Sequence, residues 1–344
     1  MNKPATIKDI ARILKISTST VSRALRDASD VSAETKNAVK SLSEELNYQP
    51  NKFALSLQQK QTHTIGVIVP NLDYVLSTMV KGIDEVALEA GYTVMVCQSN
   101  ESFGREIVNT KRLSESLVDG FIVSVSSETK VFDHLKKIQA KKMPMVVFDR
   151  VTPFLEAPTV HLDNKDGGFQ ATEHLIEQGY KRIAILAGPK NLEISNHRLE
   201  GYLTALKKHK VKIDPDLIIN CDFNQEYAYI ATQELLSMKK RPDAIFTISD
   251  RMAIGAMLAI KEKGLSMPED IGLVGFNNEP MFSLLQPSIS SVDQPSFEIG
   301  KVAAKLFIEM MHNNEDMSSV VEILKPKLII RESSQRLKKN KLTK

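Results

Sequence analysis

Seven apolar runs recur along the larger part of this chain, and they constrain the fold before any single residue does. They are TIGVIVP (64–70), TVMVCQ (93–98), GFIVSV (120–125), MVVFD (145–149), RIAILAG (182–188), AIFTIS (244–249) and IGLVGF (271–276). Short, continuously apolar runs of this kind read as parallel strands buried on both faces. Helix-patterned stretches such as 166–178, 196–209 and 252–263 separate most of them. Repeated strand–helix units predict an α/β protein with open parallel sheets flanked by helices. Seven strands are too many for one small sheet, so two Rossmann-like lobes with a cleft between them are expected. Ligands of such sheets bind beyond the carboxyl ends of the strands. Those ends read Pro70-Asn71, Ser99-Asn100, Ser124, Asp149-Arg150, Gly188-Pro189, Ser249-Asp250 and Phe276-Asn277-Asn278. They offer hydrogen-bonding groups without an obvious reactive pair.

Residues 1–48 follow a helical period instead. Thr6 can cap a first helix, with Asp9 three residues on, and Ile7, Ile10, Ala11 and Leu14 share one face. Ser17 can cap a second, with Val21, Ala24 and Leu25 inward. Ser32 can cap a third, with Glu34 in its first turn and Val39, Leu42 and Leu46 as its buried stripe. Only Lys15, Ile16 and Ser17 separate the first two helices, so they must cross steeply, and small Ala11 permits close approach. This is helix-turn-helix spacing. The second helix presents Thr18, Ser19, Ser22 and Arg23 outward. Short polar side chains near a helix N-terminus can reach base edges, and an Arg one turn later can grip guanine. Thr20 and Ser22 can also donate to phosphates. An ordinary surface helix is the alternative that these residues alone leave open.

Pro50 ends the third helix, because the residue before a proline is driven out of the α region. Asn51 can cap a fourth, NKFALSLQ, whose length is well below the ~12–15 residues an isolated helix needs in water. It is expected to fold only against a twin on DNA, a flexible linker being the alternative.

At 344 residues, 42% hydrophobic and 25% charged, the composition is that of a soluble protein of two or three domains. No run approaches the ~20 apolar residues that span a bilayer, and MNKPATIKDI lacks the apolar region of a secretory signal. Cys97 and Cys221 are expected to be buried free thiols, as suits a reducing cytoplasm. Net charge is +3, unevenly placed: residues 1–62 carry +4 and 331–344 carry +5, leaving −6 between. A basic head on an acidic body suits a DNA-binding module joined to a sensor. The basic tail is expected to be a solvated, frayed end. There is no GxGxxG after a strand, no GxxxxGK[ST], no GxSxG and no HExxH. The DGG at 166–168 opens a helix without the dinucleotide fingerprint, and the His residues lack metal-ligand spacing. His174 and His197 are expected at the surface or behind a site. No enzyme activity, cofactor or metal is expected.

The motifs TIKDIA, STVSRAL, VSAET and LNYQPN, in that order, resemble the DNA-binding domain of the lac and galactose repressor family. AGP (187–189), NHRLEGY (196–202), SDRMAIGA (249–256), VGFNN (274–278) and SSVDQPSFEIG (290–300) resemble its effector-binding core, which is like periplasmic sugar-binding proteins. The resemblance covers nearly the whole chain. It implies a helix-turn-helix domain (1–48), a hinge helix (49–61), a core (62–335) and a basic tail (336–344). The core divides into lobes of about 62–162 plus 293–322 and 163–292 plus 323–335. By the same resemblance Thr18, Ser19 and Arg23 read bases, with Thr6, Thr20, Ser22, Asn51 and Gln58 also on DNA. Leu57 wedges into the minor groove, a general kinking device. Arg198 is the chief ligand-gripping residue, with Asp149, Ser249, Asn277 and Gln294 as polar companions, Phe223 as a stacking aromatic and Ser124 as a weaker candidate.

Three departures stand out. Lys15 replaces the usual turn Gly, which costs about 1 kcal/mol if the position is left-handed. Asn277 stands where sugar-binding members commonly have Asp, and Leu192 and Ile194 where some have serines. The implied protein is a homodimeric regulator, more specifically a repressor, on a pseudo-palindromic operator, controlled by a small molecule. Phe223 with Asp149 and Arg198 favours a sugar; a purine-type co-repressor and a transport-type solute-binding protein are the alternatives. The helix after Ser249, with small Ala253, Gly255, Ala256 and Ala259, is a candidate dimer face, and packing on its own sheet is not exclusive of that. The tail has no leucine heptads to build a tetramer.

Overall fold

The computed structural model describes residues 5–48, 61–115, 118–312 and 316–336. They fall into two compact units, 1–62 and 63–344. Asn51, Leu57 and Gln58, on which the hinge reading rests, lie outside the described residues, as does 337–344 of the tail.

The first unit holds three helices, α1 (Ile7–Leu14), α2 (Thr18–Leu25) and α3 (Ala33–Glu45). Their starts are set by side chains that satisfy free backbone N–H groups. The Asp9 carboxylate accepts both the Thr6 N–H at 3.0 Å and the Thr6 hydroxyl at 2.7 Å. Ser17 Oγ accepts the Thr20 N–H at 3.0 Å, and Ser32 Oγ that of Thr35 at 3.2 Å. Ile10, Ala11, Val21, Ala24, Val31 and Val39 form the core, with Leu14, Leu25, Leu42 and Leu46 packed on it. Lys15 closes α1 in the left-handed region, φ +54°, and is exposed. Among the described residues its side chain makes no ion pair or hydrogen bond that offsets the backbone strain. Lys15→Gly is expected to stabilise this unit by about 1 kcal/mol, read as slower hydrogen exchange at the Ile10 and Val21 amides.

In the second unit the chain forms β1 (Thr64–Val69), β2 (Thr93–Gln98), β3 (Gly120–Val123), β4 (Met145–Phe148) and β5 (Thr159–Leu162). It continues through β6 (Ile183–Ala187), β7 (Ile218–Asn220), β8 (Ala244–Thr247), β9 (Gly272–Asn277) and β10 (Ser290–Asp293). Last come β11 (Val321–Leu324) and β12 (Lys327–Ile329). The first sheet runs β11-β5-β4-β3-β1-β2, all parallel. The second runs β12-β10-β9-β8-β6-β7, parallel except that β12 is antiparallel to β10. The chain crosses between lobes three times: after β5, after β10, and between β11 and β12. Lys325 Nζ meets Asp163 Oδ2 at 2.8 Å, tying two of these crossings together. All seven apolar runs are strands, the core of the second unit. One expectation needs correction: β2 is not doubly buried. It lies at a sheet edge with Met95 and Val96 each 37% exposed.

The flanking helices are α4 (Tyr74–Glu89), α5 (Phe103–Ser114), α6 (Asp133–Ala140), α7 (Asn164–Glu177), α8 (Glu193–Lys208), α9 (Gln225–Ser237), α10 (Asp250–Glu262) and α11 (Ser296–His312). The DGG motif belongs to the contact between α7 and α8. A Cβ on Gly168 would stand 2.2 Å from the Arg198 carbonyl oxygen, and one on Gly167 2.7 Å from the Phe276 ring. Only glycine lets α8 approach closely enough to deliver Arg198 to the sheet. The small face of α10 is likewise used inside the chain. Ala253, Ala256 and Ala259 are buried, and a Cβ on Gly255 would sit 2.1 Å from the Gln225 carbonyl oxygen of α9. A dimer contact on α10 must therefore use other residues, such as Leu258, which is 42% exposed.

Three further expectations are corrected. His174 is buried, with Nε2 2.7 Å from Ser334 Oγ. Residues 331–336 are packed, not frayed: Arg331 donates to Asn278 Oδ1 and the Ile289 carbonyl, and Arg336 stacks 3.8 Å over Tyr180. The two cysteines are free but only half-buried.

Candidate functional site

On the first unit, α2 exposes Thr18, Ser19 and Arg23, with Thr20 and Ser22 half-buried beside them. The hydroxyls of Ser17 and Ser19 are 2.7 Å apart, and Ser17 lies 2.8 Å from that of Thr20. Arg23 Nη1 is paired with Asp30 Oδ2 at 2.5 Å, both side chains about half exposed. An exposed pair of this kind is weak and can exchange for another acceptor. Thr6, also assigned to DNA, spends its hydroxyl on Asp9.

In the second unit the strand ends of both lobes face a cavity of about 780 Å³. Asp149, Arg198, Phe223, Ser249, Asn277 and Gln294 all line it. Ser124 does not. It is buried behind Asp149, its hydroxyl donating to Oδ2 at 3.4 Å.

Arg198 is 3% exposed. Its Nε donates to Asn164 Oδ1 at 2.8 Å, its Nη1 to the Ile248 carbonyl at 2.6 Å, and its guanidinium lies 3.6 Å over the Phe276 ring. Burial pulls its pKa down to about 9 against the charge of Asp149. Burial pushes Asp149 above the ordinary carboxylate range, although Arg150 and Arg198 pull the other way. Gln294 Nε2 donates to Asn277 Oδ1 at 3.0 Å, while its buried Oε1 has no hydrogen-bond partner. The backbone is bent where the strands end: Asn100, Glu101, Asp149, Asn277 and Asn278 all have positive φ, between +52° and +121°. Such strain is held where the surrounding structure needs these side chains aimed.

The sequence reading missed a second grip. Arg150 holds Glu101 through two bonds of 2.7 and 2.8 Å, and the Ser127 N–H donates to Glu101 at 2.8 Å. Burial opposes ionisation of Glu101, but Arg150 and Ser127 outweigh it and hold its pKa below the usual value. Arg150 was visible at a strand end, and Glu101 directly follows the strand end at Asn100. Asn164, which holds Arg198, gives no sequence signal except its place at the start of α7. The lining as a whole carries six carboxylates (Asp73, Glu101, Glu128, Asp149, Asp222, Glu279) against three guanidinium groups, those of Arg150, Arg198 and Arg251. This excess disfavours an anionic ligand.

Residues 6–51 match the family model of bacterial regulatory proteins, lacI family, and residues 172–334 match the periplasmic binding protein-like domain. Over 334 residues the chain is 35% identical to the HTH-type transcriptional repressor CytR of Escherichia coli (strain K12), covering 97% of each chain. The chain belongs to the lacI family. It is also 34% identical over 331 residues to the ribose operon repressor of Halalkalibacterium halodurans, covering 96% of this chain and 97% of that one. The solved structure of the lac repressor dimer bound to operator and the anti-inducer ONPF aligns with a TM-score of 0.85 at 27% identity, covering 97% of this chain and all of that one. The family and fold expected from the motifs are thus the ones found, and the two-lobed unit is the periplasmic-binding-protein-like core of a lacI-family regulator.

Beneath this site Asp250 starts α10 fully buried, Oδ1 accepting the Ser291 hydroxyl and Oδ2 the Glu279 N–H, each at 2.7 Å. Burial pushes its pKa up to about 7 despite those bonds. Because the unfolded value is near 3.9, stability from this group is fullest below about pH 4 and falls as pH rises to about 7, by about 4 kcal/mol. His174 runs the other way. Burial pushes its pKa down to about 4, so its contribution is present above about pH 6.5 and is lost as pH falls to about 4. The two slopes oppose between about pH 4 and 6.5. Asp250→Asn is expected to expose the His174 slope, so that the urea midpoint drops more steeply than wild type on acidification from pH 6.5 to 4.5. An unchanged slope would refute the burial of charge assigned to Asp250.

Proposed function

We propose that this chain is a homodimeric transcriptional regulator, acting as a repressor on a pseudo-palindromic operator in the cytoplasm. Helix α2 reads each half-site with Thr18, Ser19 and Arg23, while Thr20 and Ser22 donate to phosphates and Thr6 lies at the backbone. The segment at Asn51, Leu57 and Gln58 supplies the minor-groove contact. The division into residues 1–48, 49–61 and 62–335 belongs to this reading. The interlobe cavity takes an uncharged, polyhydroxylated small molecule, a sugar or sugar derivative. Asp149, Arg198, Ser249, Asn277 and Gln294 meet its hydroxyls, and Phe223 covers its apolar face.

The observation that carries the reading is the combination, in one chain, of an exposed polar helix face with an interlobe cavity lined by Asp149, Arg198, Phe223, Ser249, Asn277 and Gln294. The ribose operon repressor among its relatives supports the sugar class. The chain is read as a sensor rather than an enzyme: the buried charges at the strand ends are engaged with one another, as Arg150 with Glu101, instead of forming a nucleophile and its base. Ligand binding across the cleft changes the spacing of the hinges in the dimer, and thereby DNA affinity.

Anisotropy titrations against a library of palindromic duplexes test this. One symmetric duplex should be preferred over random sequence, with affinity falling steeply between about 50 and 200 mM salt. A panel of sugars and nucleobases should contain a ligand that shifts affinity by about 5–150-fold. Equal binding to every duplex, with and without each compound, would sink the proposal. A response to nucleobases alone would replace the sugar by a purine-type effector.

A further inference from the structure

The chain turns twice against its preference where β9 ends. Asn277 and Asn278 are successive non-glycine residues with φ of +121° and +52°. A backbone in such sparsely populated regions relaxes unless its surroundings fix it. Asn277 and Glu279 line the main cavity, whereas Asn278, between them, does not. Its carboxamide is held from two other sides. Arg331 Nη2 donates to its Oδ1 at 2.6 Å, and its Nδ2 donates to Asp293 Oδ1 at 2.8 Å. The Asn278 N–H donates to Ser291 Oγ at 3.0 Å, and that hydroxyl donates in turn to buried Asp250. Arg331 is itself fixed: Nη1 donates to the Ile289 carbonyl and the backbone N–H to Ser290 Oγ, each at 2.7 Å.

The two jaws come from segments that carry the chain between the lobes. Asp293 ends β10, where the chain leaves for the other sheet, and Arg331 follows β12, the short strand that returns from it. Gln294, directly after Asp293, donates to Asn277 Oδ1 at 3.0 Å. We propose that Arg331 is a positioning residue of the effector cleft: with Asp293 it clamps the Asn278 carboxamide, and the clamp keeps Asn277 aimed at the ligand. The inference rests on the cleft being the effector site and adds a residue that acts from outside the cavity, which Arg331 does not line. A guanidinium suits the task, because its planar fork serves Asn278 and the Ile289 carbonyl in one fixed geometry. The competing role is a plain staple, in which Arg331 only ties the end of β12 to β10.

The test uses the full chain and a panel of ribose, glucose, galactose, adenine and hypoxanthine. Arg331→Met removes the donors and keeps the bulk of the stem. Asn278→Gly accepts a positive φ without strain and removes the clamped carboxamide. Each is made alone and together with Asn277→Ala, and calorimetry reads affinity. Whichever compound binds wild type should bind either single variant about tenfold more weakly. That loss should disappear in the Asn277→Ala background, because residues that act through one another are not additive. A staple costs the same in both backgrounds, and that result overturns the proposal, as does unchanged affinity in both single variants. Crystal structures of the ligand-free variants need no compound: Asn277 should leave the region of positive φ and lose its contact with Gln294. If no compound in the panel binds wild type, the sugar and nucleobase readings of the cleft fall, and the crystal structures decide alone. A displaced Asn277 then upholds the clamp, and an unmoved one overturns it. Should Arg331→Met fail to fold, Asn278→Gly carries both measurements.

Discussion

Arg198→Ala is expected to abolish the response of DNA affinity to ligand while leaving ligand-free DNA binding near wild type. The loss should exceed about 100-fold in effector affinity, because in the proposed site the guanidinium is the main donor to the ligand as well as a counter-charge to Asp149. The variant should also lose stability. Asn164 Oδ1 and the Ile248 carbonyl oxygen are left buried without a donor, at about 1–3 kcal/mol each. The stacking on Phe276 goes with them. Asp149, relieved of one of its two stabilising cations, should become still harder to ionise. Arg198→Lys keeps the charge but cannot reach two acceptors in a fixed fork, so it should recover part of the stability and little of the response. Calorimetry with whichever panel compound binds the wild type measures the first effect, and a urea titration the second. Undiminished effector binding in Arg198→Ala would remove this residue from the site.

The second large effect is on DNA. With Arg23 in its proposed base-reading role, Arg23→Ala should weaken specific binding by about 1–3 kcal/mol at each half-site and relax a preference for guanine at one position. Its partner gives a control. Asp30→Ala frees Arg23 from the ion pair at 2.5 Å, and a free guanidinium no longer has to exchange partners on binding. That change should leave specificity intact and raise affinity slightly, since an exposed pair contributes at most about 1 kcal/mol. Anisotropy with the preferred duplex and its single-base variants reads both. If Arg23→Ala weakens all duplexes equally, the residue serves the phosphate backbone and not a base.

The fold was legible where hydrophobic burial writes a period. All seven apolar runs became strands, because a strand covered on both faces leaves an uninterrupted apolar mark. The strands at 159–162, 218–220, 290–293, 321–324 and 327–329 left no such mark. They are three or four residues long, several lie at sheet edges, and polar residues such as Ser290, Ser291 and Glu322 occupy them. The caps at Thr6, Ser17 and Ser32 were readable because each acts within three residues of itself. The site was legible in the residues at strand ends, where Asp149, Ser249 and Asn277 all reach the cavity. Glu101 and Asn164 were not, since each depends on which distant segment the fold brings alongside. Ser290 is an example at long range: its hydroxyl meets Ser334, a contact made across 44 positions.

The closing strands of the two sheets, β11 and β12, are separated by only two residues at the far end of the chain. Neither half of the sensor is therefore encoded by one uninterrupted stretch. A stop codon at position 320 would strip the edge strand from both halves at once, and a gene fragment chosen to express one half alone would need to be spliced from distant pieces. Damage late in the reading frame thus disables the receptor as a whole while sparing the helices before Pro50, and such a truncated product would still carry a reading head that no metabolite can govern.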